Sequence, residues 1–150
     1  MIIRDAHEND TLQLCQLLSQ LNYDMDLNAM EARIKAFQQE RHHLLVIEEN
    51  NRIIAAIAFG CYEQLRLPGC CCHIDALIIH QAHRNQGLGK KLVAEAEKYA
   101  LKYGAQTMEL KSANHHIKSG THAFYQALGY KNHVGLDCAY FAKENLQKNA

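Results

Sequence analysis

Apolar residues recur along this chain in two rhythms, and each predicts a different element. Leu14, Leu17, Leu18 and Leu21 fall at i, i+3, i+4 and i+7, the spacing of one helix face, with Asn9 or Asp10 placed to cap it. Tyr23-Asp24-Met25-Asp26 breaks that pattern, and Met30, Ile34 and Phe37 carry a second helix. Ile2-Ile3-Arg4 reads as a short opening strand. Leu44-Leu45-Val46-Ile47 and the run from Ile53 to Phe59 read as two strands about a turn at Glu49-Asn50-Asn51-Arg52. The second of them is apolar almost without interruption, so both of its faces should be covered. Leu67-Pro68-Gly69 holds the only proline and marks a loop. Residues 72–93, CHIDALIIHQAHRNQGLGKKLV, then give a buried strand (Ile74, Leu77, Ile78, Ile79), a polar turn, a glycine-bearing loop and a helix. Gly104 is a natural end for that helix. Residues 106–111 predict another strand, Ser119 caps a short helix carrying Tyr125 and ended by Gly129, and residues 130–134 and 138–142 form a closing hairpin.

At 150 residues the chain predicts one domain spanning 1–150. Sixteen basic and sixteen acidic residues leave no formal net charge, and no basic block stands out, which argues against a nucleic-acid partner. Met1-Ile2-Ile3-Arg4-Asp5 lacks the apolar run of a signal peptide and no segment reaches membrane-spanning length. The expectation is a cytoplasmic protein with no membrane partner. In that compartment most of the six cysteines should be reduced and pack as small hydrophobes. Cys70-Cys71-Cys72-His73 is unusual, but strand neighbours point to opposite faces and cannot close around one tetrahedral zinc, so no metal is expected. His42-His43 and His115-His116 read as solvated loop residues.

The chemistry concentrates in Arg84-Asn85-Gln86-Gly87-Leu88-Gly89, an R-x-x-G-x-G pattern. Gly87 and Gly89 carry no Cβ, so the chain bends tightly there and a bulky group can approach the backbone. The first N–H groups of the following helix lack intrahelical partners and, with the helix dipole, attract phosphate oxygens. Arg84, Lys90 and Lys91 would add cationic contacts, and a pyrophosphate is the natural guest. The pattern is neither the dinucleotide-binding G-x-G-x-x-G nor a Walker loop. About forty residues on comes Thr121-His122-Ala123-Phe124-Tyr125-Gln126-Ala127-Leu128-Gly129-Tyr130. Together, in this order and spacing, strand, R-x-x-G-x-G, helix, strand and F-Y-x-x-L-G-Y resemble the GNAT family of N-acetyltransferases.

The resemblance implies an α/β (α+β) fold: a central, mixed, mostly antiparallel sheet of six to seven strands with about four helices, splayed around the cofactor. It implies acetyl-CoA as acetyl donor, its pantetheine arm on Leu77, Ile78 and Ile79 and its pyrophosphate on Arg84, Asn85, Gln86, Gly87, Leu88, Gly89 and Lys90. It also implies that Tyr125 protonates the leaving sulfur. Asp75 stands nine residues before Arg84, where many relatives carry a strand carboxylate acting as base through water; binding a substrate ammonium is the alternative. His73, two residues earlier, should share its face unless a bulge intervenes, and a His73–Asp75 pair could poise a base near neutral pH. Tyr23, Asp24 and Asp26 border the region that meets the acceptor in this fold, and His122 stands one helical turn before Tyr125, where it either orients that residue or only packs. Gln81 and Asn85 depart from a common proline and glycine. The expected activity is acetyl transfer to a small primary amine, by a monomer or homodimer. A non-catalytic acyl-CoA-binding regulatory module, or a protein N-acetyltransferase, is the rival.

Overall fold

The computed structural model describes residues 1–66, 68–112 and 120–131. The chain divides into two compact units, Met1–Ala113 and Asn114–Ala150. The first holds strands β1 (Ile2–Asp5), β2 (His42–Glu49), β3 (Arg52–Glu63), β4 (Cys70–Ile79) and β5 (Ala105–Leu110), with helices α1 (Thr11–Ser19), α2 (Leu27–Ala36) and α3 (Leu88–Lys102). Of the second, α4 (Thr121–Ala127) is described. The five strands lie in sequence order. β1 through β4 pair antiparallel and β4 with β5 parallel, the mixed, mostly antiparallel sheet expected. Among the described residues the sheet has five strands, against the six to seven expected; the predicted closing hairpin lies outside the described residues except for Tyr130 and Lys131, which are not in a strand.

Each element follows from local chemistry. Asp26 caps α2, its Oδ1 accepting from the Ala29 N–H at 2.8 Å. Asp10 precedes α1 but its carboxylate turns away, to Arg4 and to the His7 N–H at 2.8 Å. Asn50 and Asn51 turn the β2–β3 hairpin, both with positive φ (49° and 60°), a conformation asparagine tolerates best after glycine. Leu14 and Leu17 of α1 and Met30 and Ile34 of α2 pack against Val46, Ala56 and Ile78 on one face of the sheet. α3 covers the other face, with Ala100 against Cys61, Cys70 and Cys72, and with Tyr99 against Phe59.

His42 and His43 are not in a loop: both lie in β2. Their side chains take opposite faces, as strand geometry requires. The His43 ring stacks on Phe59 at 5.3 Å between centroids and bonds the Tyr103 hydroxyl at 2.9 Å, so aromatic packing rather than water surrounds it.

One irregularity matters for the site. Ala58 pairs with Ala76 but Phe59 with Ile74, so β4 carries one extra residue, Asp75. That β-bulge exchanges the two faces of the strand. Cys70 and Cys72 before it face α3, whereas Ile78 beyond it packs against the α1–α2 side.

Candidate active site

β4 pairs with β3 as far as Ile79, but with β5 only as far as Ile74↔Leu110. From Asp75 to Ile79 no strand among the described residues pairs with the edge of β4 that faces β5. Ser112 stands two residues past the last β5 pair; its Oγ is buried and unpartnered, a polar atom a ligand amide would satisfy.

The strand leads through His80, whose N–H donates to Ile54 O at 2.8 Å, and a 3-10 turn at Gln81–His83 into the glycine loop. There Asn85 (φ 60°) and Gly87 (φ 76°) both adopt the left-handed conformation, which folds the loop back over the start of α3. A Cβ on Gly87 would meet nothing within 4 Å, so the space beside it is open. Gly87 also occupies the N-cap of α3 without a side chain to cap it. The first helical bond runs from the Lys91 N–H to Gly87 O at 3.1 Å, so the N–H groups of Leu88, Gly89 and Lys90 have no intrahelical acceptor. Leu88 itself is 2% exposed and anchors the turn in the core, leaving only its backbone for a ligand. Arg84 donates from Nε to Ile79 O at 3.3 Å, which ties the loop to the end of β4. Arg84, Lys90 and Lys91 are exposed and, among the described residues, in no ion pair. Unpaired helix-start donors, the positive end of the α3 dipole and three exposed cationic residues thus belong to one short stretch of chain, residues 84–91.

A family model of the GNAT acetyltransferases matches residues 11–130, most of the chain. The chain belongs to the GNAT family. It is 27% identical over 143 residues to an uncharacterized N-acetyltransferase of Bacillus subtilis strain 168, covering 91% of this chain and 93% of that one. Among solved structures, a transcriptional regulator from Bacillus halodurans superposes with a TM-score of 0.79 at 22% identity, over 93% of this chain and 99% of its own. Glucosamine-6-phosphate N-acetyltransferase from Arabidopsis thaliana gives 0.76 at 23% identity, over 94% and 98%. The structural likenesses show the GNAT fold.

Within that GNAT frame the residues singled out from sequence divide. Leu77, Ile78 and Ile79 lie on the stretch of β4 that, among the described residues, pairs with β3 alone, and Arg84 through Lys90 run from the glycine loop into the first turn of α3. His73 and Asp75 are not paired: the bulge falls between His73 and the rest of the strand, and Asp75 is exposed without a hydrogen bond or ion pair among the described residues. The acid near His73 is instead Glu109, its register partner on β5, with Oε1 3.7 Å from Nδ1. The same Oε1 accepts from the Tyr62 hydroxyl at 2.7 Å, a bond that raises the Tyr62 pKa. His42 joins this face from β2, its ring over Gly60, where a Cβ would come within 2.6 Å of Cδ2. Sequence reasoning missed Glu109, Tyr62, His42 and Ser112, because only the register reveals which polar strand residues are neighbours.

Tyr23 and Asp24 are exposed in the α1–α2 connection, while Asp26 already spends one oxygen on the α2 cap. In the second unit, Tyr125 lies against Phe124 and Tyr130, at 5.0 and 5.8 Å between ring centroids. Burial pushes its phenol up to about 12, so it stays protonated at neutral pH. His122 and Tyr125 share α4, three residues apart, the spacing of neighbours on a helix face. Gly120, with φ 80°, takes the N-cap of α4; Ser119, the expected cap, lies outside the described residues.

Proposed function

We propose that this chain moves an acetyl group from acetyl-CoA to the primary amine of a small molecule by direct attack on the thioester. The observation that carries this reading is the continuity of open β4 edge, glycine loop and uncapped α3 in one stretch of chain. It offers backbone groups to an extended arm and then N–H donors and cations to phosphates. Acetyl-CoA supplies an activated acyl carbon and a thiolate leaving group. The protein's part is to hold that donor, provide a hydrogen bond to the developing oxyanion from the β4 backbone, and manage two protons.

An alkyl amine of pKa about 10 arrives mostly protonated at neutral pH, so a base must take a proton before attack. His73, with Glu109 Oε1 3.7 Å from its Nδ1, is the residue we assign to that task, an imidazole being able to take a proton on one ring nitrogen. Asp75, exposed on the bulge beyond it, either relays through water or anchors the incoming ammonium. Tyr125 gives its proton to the departing thiolate, a role that rests on the F-Y-x-x-L-G-Y run. Tyr23, Asp24, Asp26 and His122 are the proposed acceptor contacts. Zero net charge provides no long-range steering, so local groups select the acceptor.

A second reading, an acyl-CoA-binding regulator without catalysis, draws on the likeness to the Bacillus halodurans transcriptional regulator. Thiol release from acetyl-CoA, measured side by side with polyamines, amino-sugar phosphates, aminoalkylphosphonates, aminoglycosides and a lysine peptide, separates the possibilities. Fast release with one small amine, slowed in His73→Gln or Asp75→Asn, is the expected result. Best activity on the peptide would overturn the small-molecule assignment, and binding of acetyl-CoA without release to any amine would favour the regulator.

A further inference from the structure

Three of the cysteines gather where strand geometry alone would not bring the Cys70-Cys71-Cys72 run together. Cys70 and Cys72, two apart on β4, share the face toward α3, and Cys61 stands directly opposite Cys72 on β3. Their Sγ atoms all lie within 4.8 Å of one another and the residues are 2%, 3% and 0% exposed for Cys61, Cys70 and Cys72. Cys61 and Cys72 are joined in a disulfide, with Cys70 a free thiol beside it. Cys71 is excluded, since it pairs with Tyr62 on the opposite face. Around the three sulfurs pack Ala100, Tyr103, Ala105 and Met108, and among the described residues no histidine or carboxylate belongs to the group.

We propose that in the reduced chain Cys61, Cys70 and Cys72 form a binding site for one soft, thiophilic cation, copper(I). Three sulfurs around one ion, with metal–sulfur bonds of about 2.3 Å, sit roughly 4 Å apart; the three Sγ atoms already lie within 4.8 Å of one another, and reduction of the Cys61–Cys72 bond is what lets that pair separate to a ligand spacing. The ligand chemistry selects the ion. A structural zinc site wants a fourth Cys, His or carboxylate, which this cluster lacks, and magnesium or calcium wants oxygen. Copper(I) accepts sulfur alone, and Met108, opposite Cys72 in register, brings a thioether against the same cluster. The disulfide is the competing state: a dithiol, which is itself oxidised to a disulfide, or a phosphine, which takes oxygen from water to become the oxide while that water supplies the protons, delivers two electrons and converts it to the Cys61 and Cys72 thiols, which give up protons as the ion binds. Oxidation therefore removes two of the three ligands and closes the site.

The full chain, reduced with a phosphine under argon and freed of metal, is titrated with copper(I) against the chromophoric chelator bicinchoninate. The expected result is one copper(I) withdrawn per chain, and none by the chain whose disulfide is intact. Cys70→Ser should weaken binding at least tenfold, while Cys15→Ser with Cys71→Ala should not. No withdrawal by the reduced native chain, or undiminished withdrawal by Cys70→Ser, would overturn the proposal. So would binding that disappears with Cys15 and Cys71 in a chain whose circular dichroism is native. X-ray absorption of the copper-loaded native chain decides independently of any variant: a sulfur-only shell supports the site, and nitrogen or oxygen ligands contradict it.

Discussion

Arg4 holds two acids at once, Asp10 through both terminal nitrogens at 2.8 and 2.9 Å and Glu48 through Nε at 2.7 Å. Burial works against the Asp10 charge, but hydrogen bonds from Arg4 and from the His7 N–H outweigh it and keep the carboxyl below its ordinary value of 3.8. A carboxyl depressed in the folded state adds stability above the unfolded value and loses it as pH falls through the folded one. Arg4→Ala should cost about 3 kcal/mol in urea unfolding at pH 7, near the low end for orphaning a buried charge. The penalty should shrink below pH 3.8; a variant within 0.5 kcal/mol of the native chain would contradict it. Tyr125 obeys the opposite sign. Its raised pKa, about 12, gives stability that is complete below pH 10 and lost as pH rises toward 12. Tyr125→Phe should lower turnover by roughly 10²-fold or more with little change in donor affinity. The native rate should show no alkaline fall below pH 11 that this variant abolishes. Tyr125 and Gly87 were legible as residues because a motif carries them. Glu109 was not, since its meaning comes from facing His73 across two strands.

At the scale of elements, helices and hairpin were readable because periodicity and turn chemistry are local. Leu14 and Leu17 announce α1, and Asn50-Asn51 announces the β2–β3 turn. The bulge at Asp75 was not readable, because it is a property of two strands and no turn residue marks it. The cysteine cluster escaped for the same reason: Cys61 lies 11 residues from Cys72 in sequence and beside it only through register. On the proposed reading, the end of β4–β5 pairing at Ile74, the α3 start and the left-handed loop together hold the acetyl donor. Gly87→Trp, which fills the space beside the loop and strains a φ of 76°, should abolish donor binding while leaving the far-UV circular dichroism native. Arg84→Ala should weaken that binding more at low salt than at high salt, as a phosphate contact must. Undiminished affinity in Gly87→Trp would remove the loop from the site.

For the whole molecule, the family and the sheet were legible, and the acceptor is not written in either. A fold this widely shared fixes where a donor lies and leaves the acceptor to loops and a few polar side chains. No helix among the described residues is long and apolar enough to cross a membrane, and the balanced charge makes no demand on a partner of opposite sign. What the account requires of the molecule is that acetyl-CoA recognise the native chain. A ligand specific for the folded state at 100 times its Kd adds about 2.7 kcal/mol, which for a chain of this size is a rise in Tm of roughly 5–10 °C. The most direct test is therefore thermal unfolding of the native chain and of Gly87→Trp with millimolar acetyl-CoA. The account predicts a rise of that size for the native chain and none for the variant; an unchanged native Tm would contradict it.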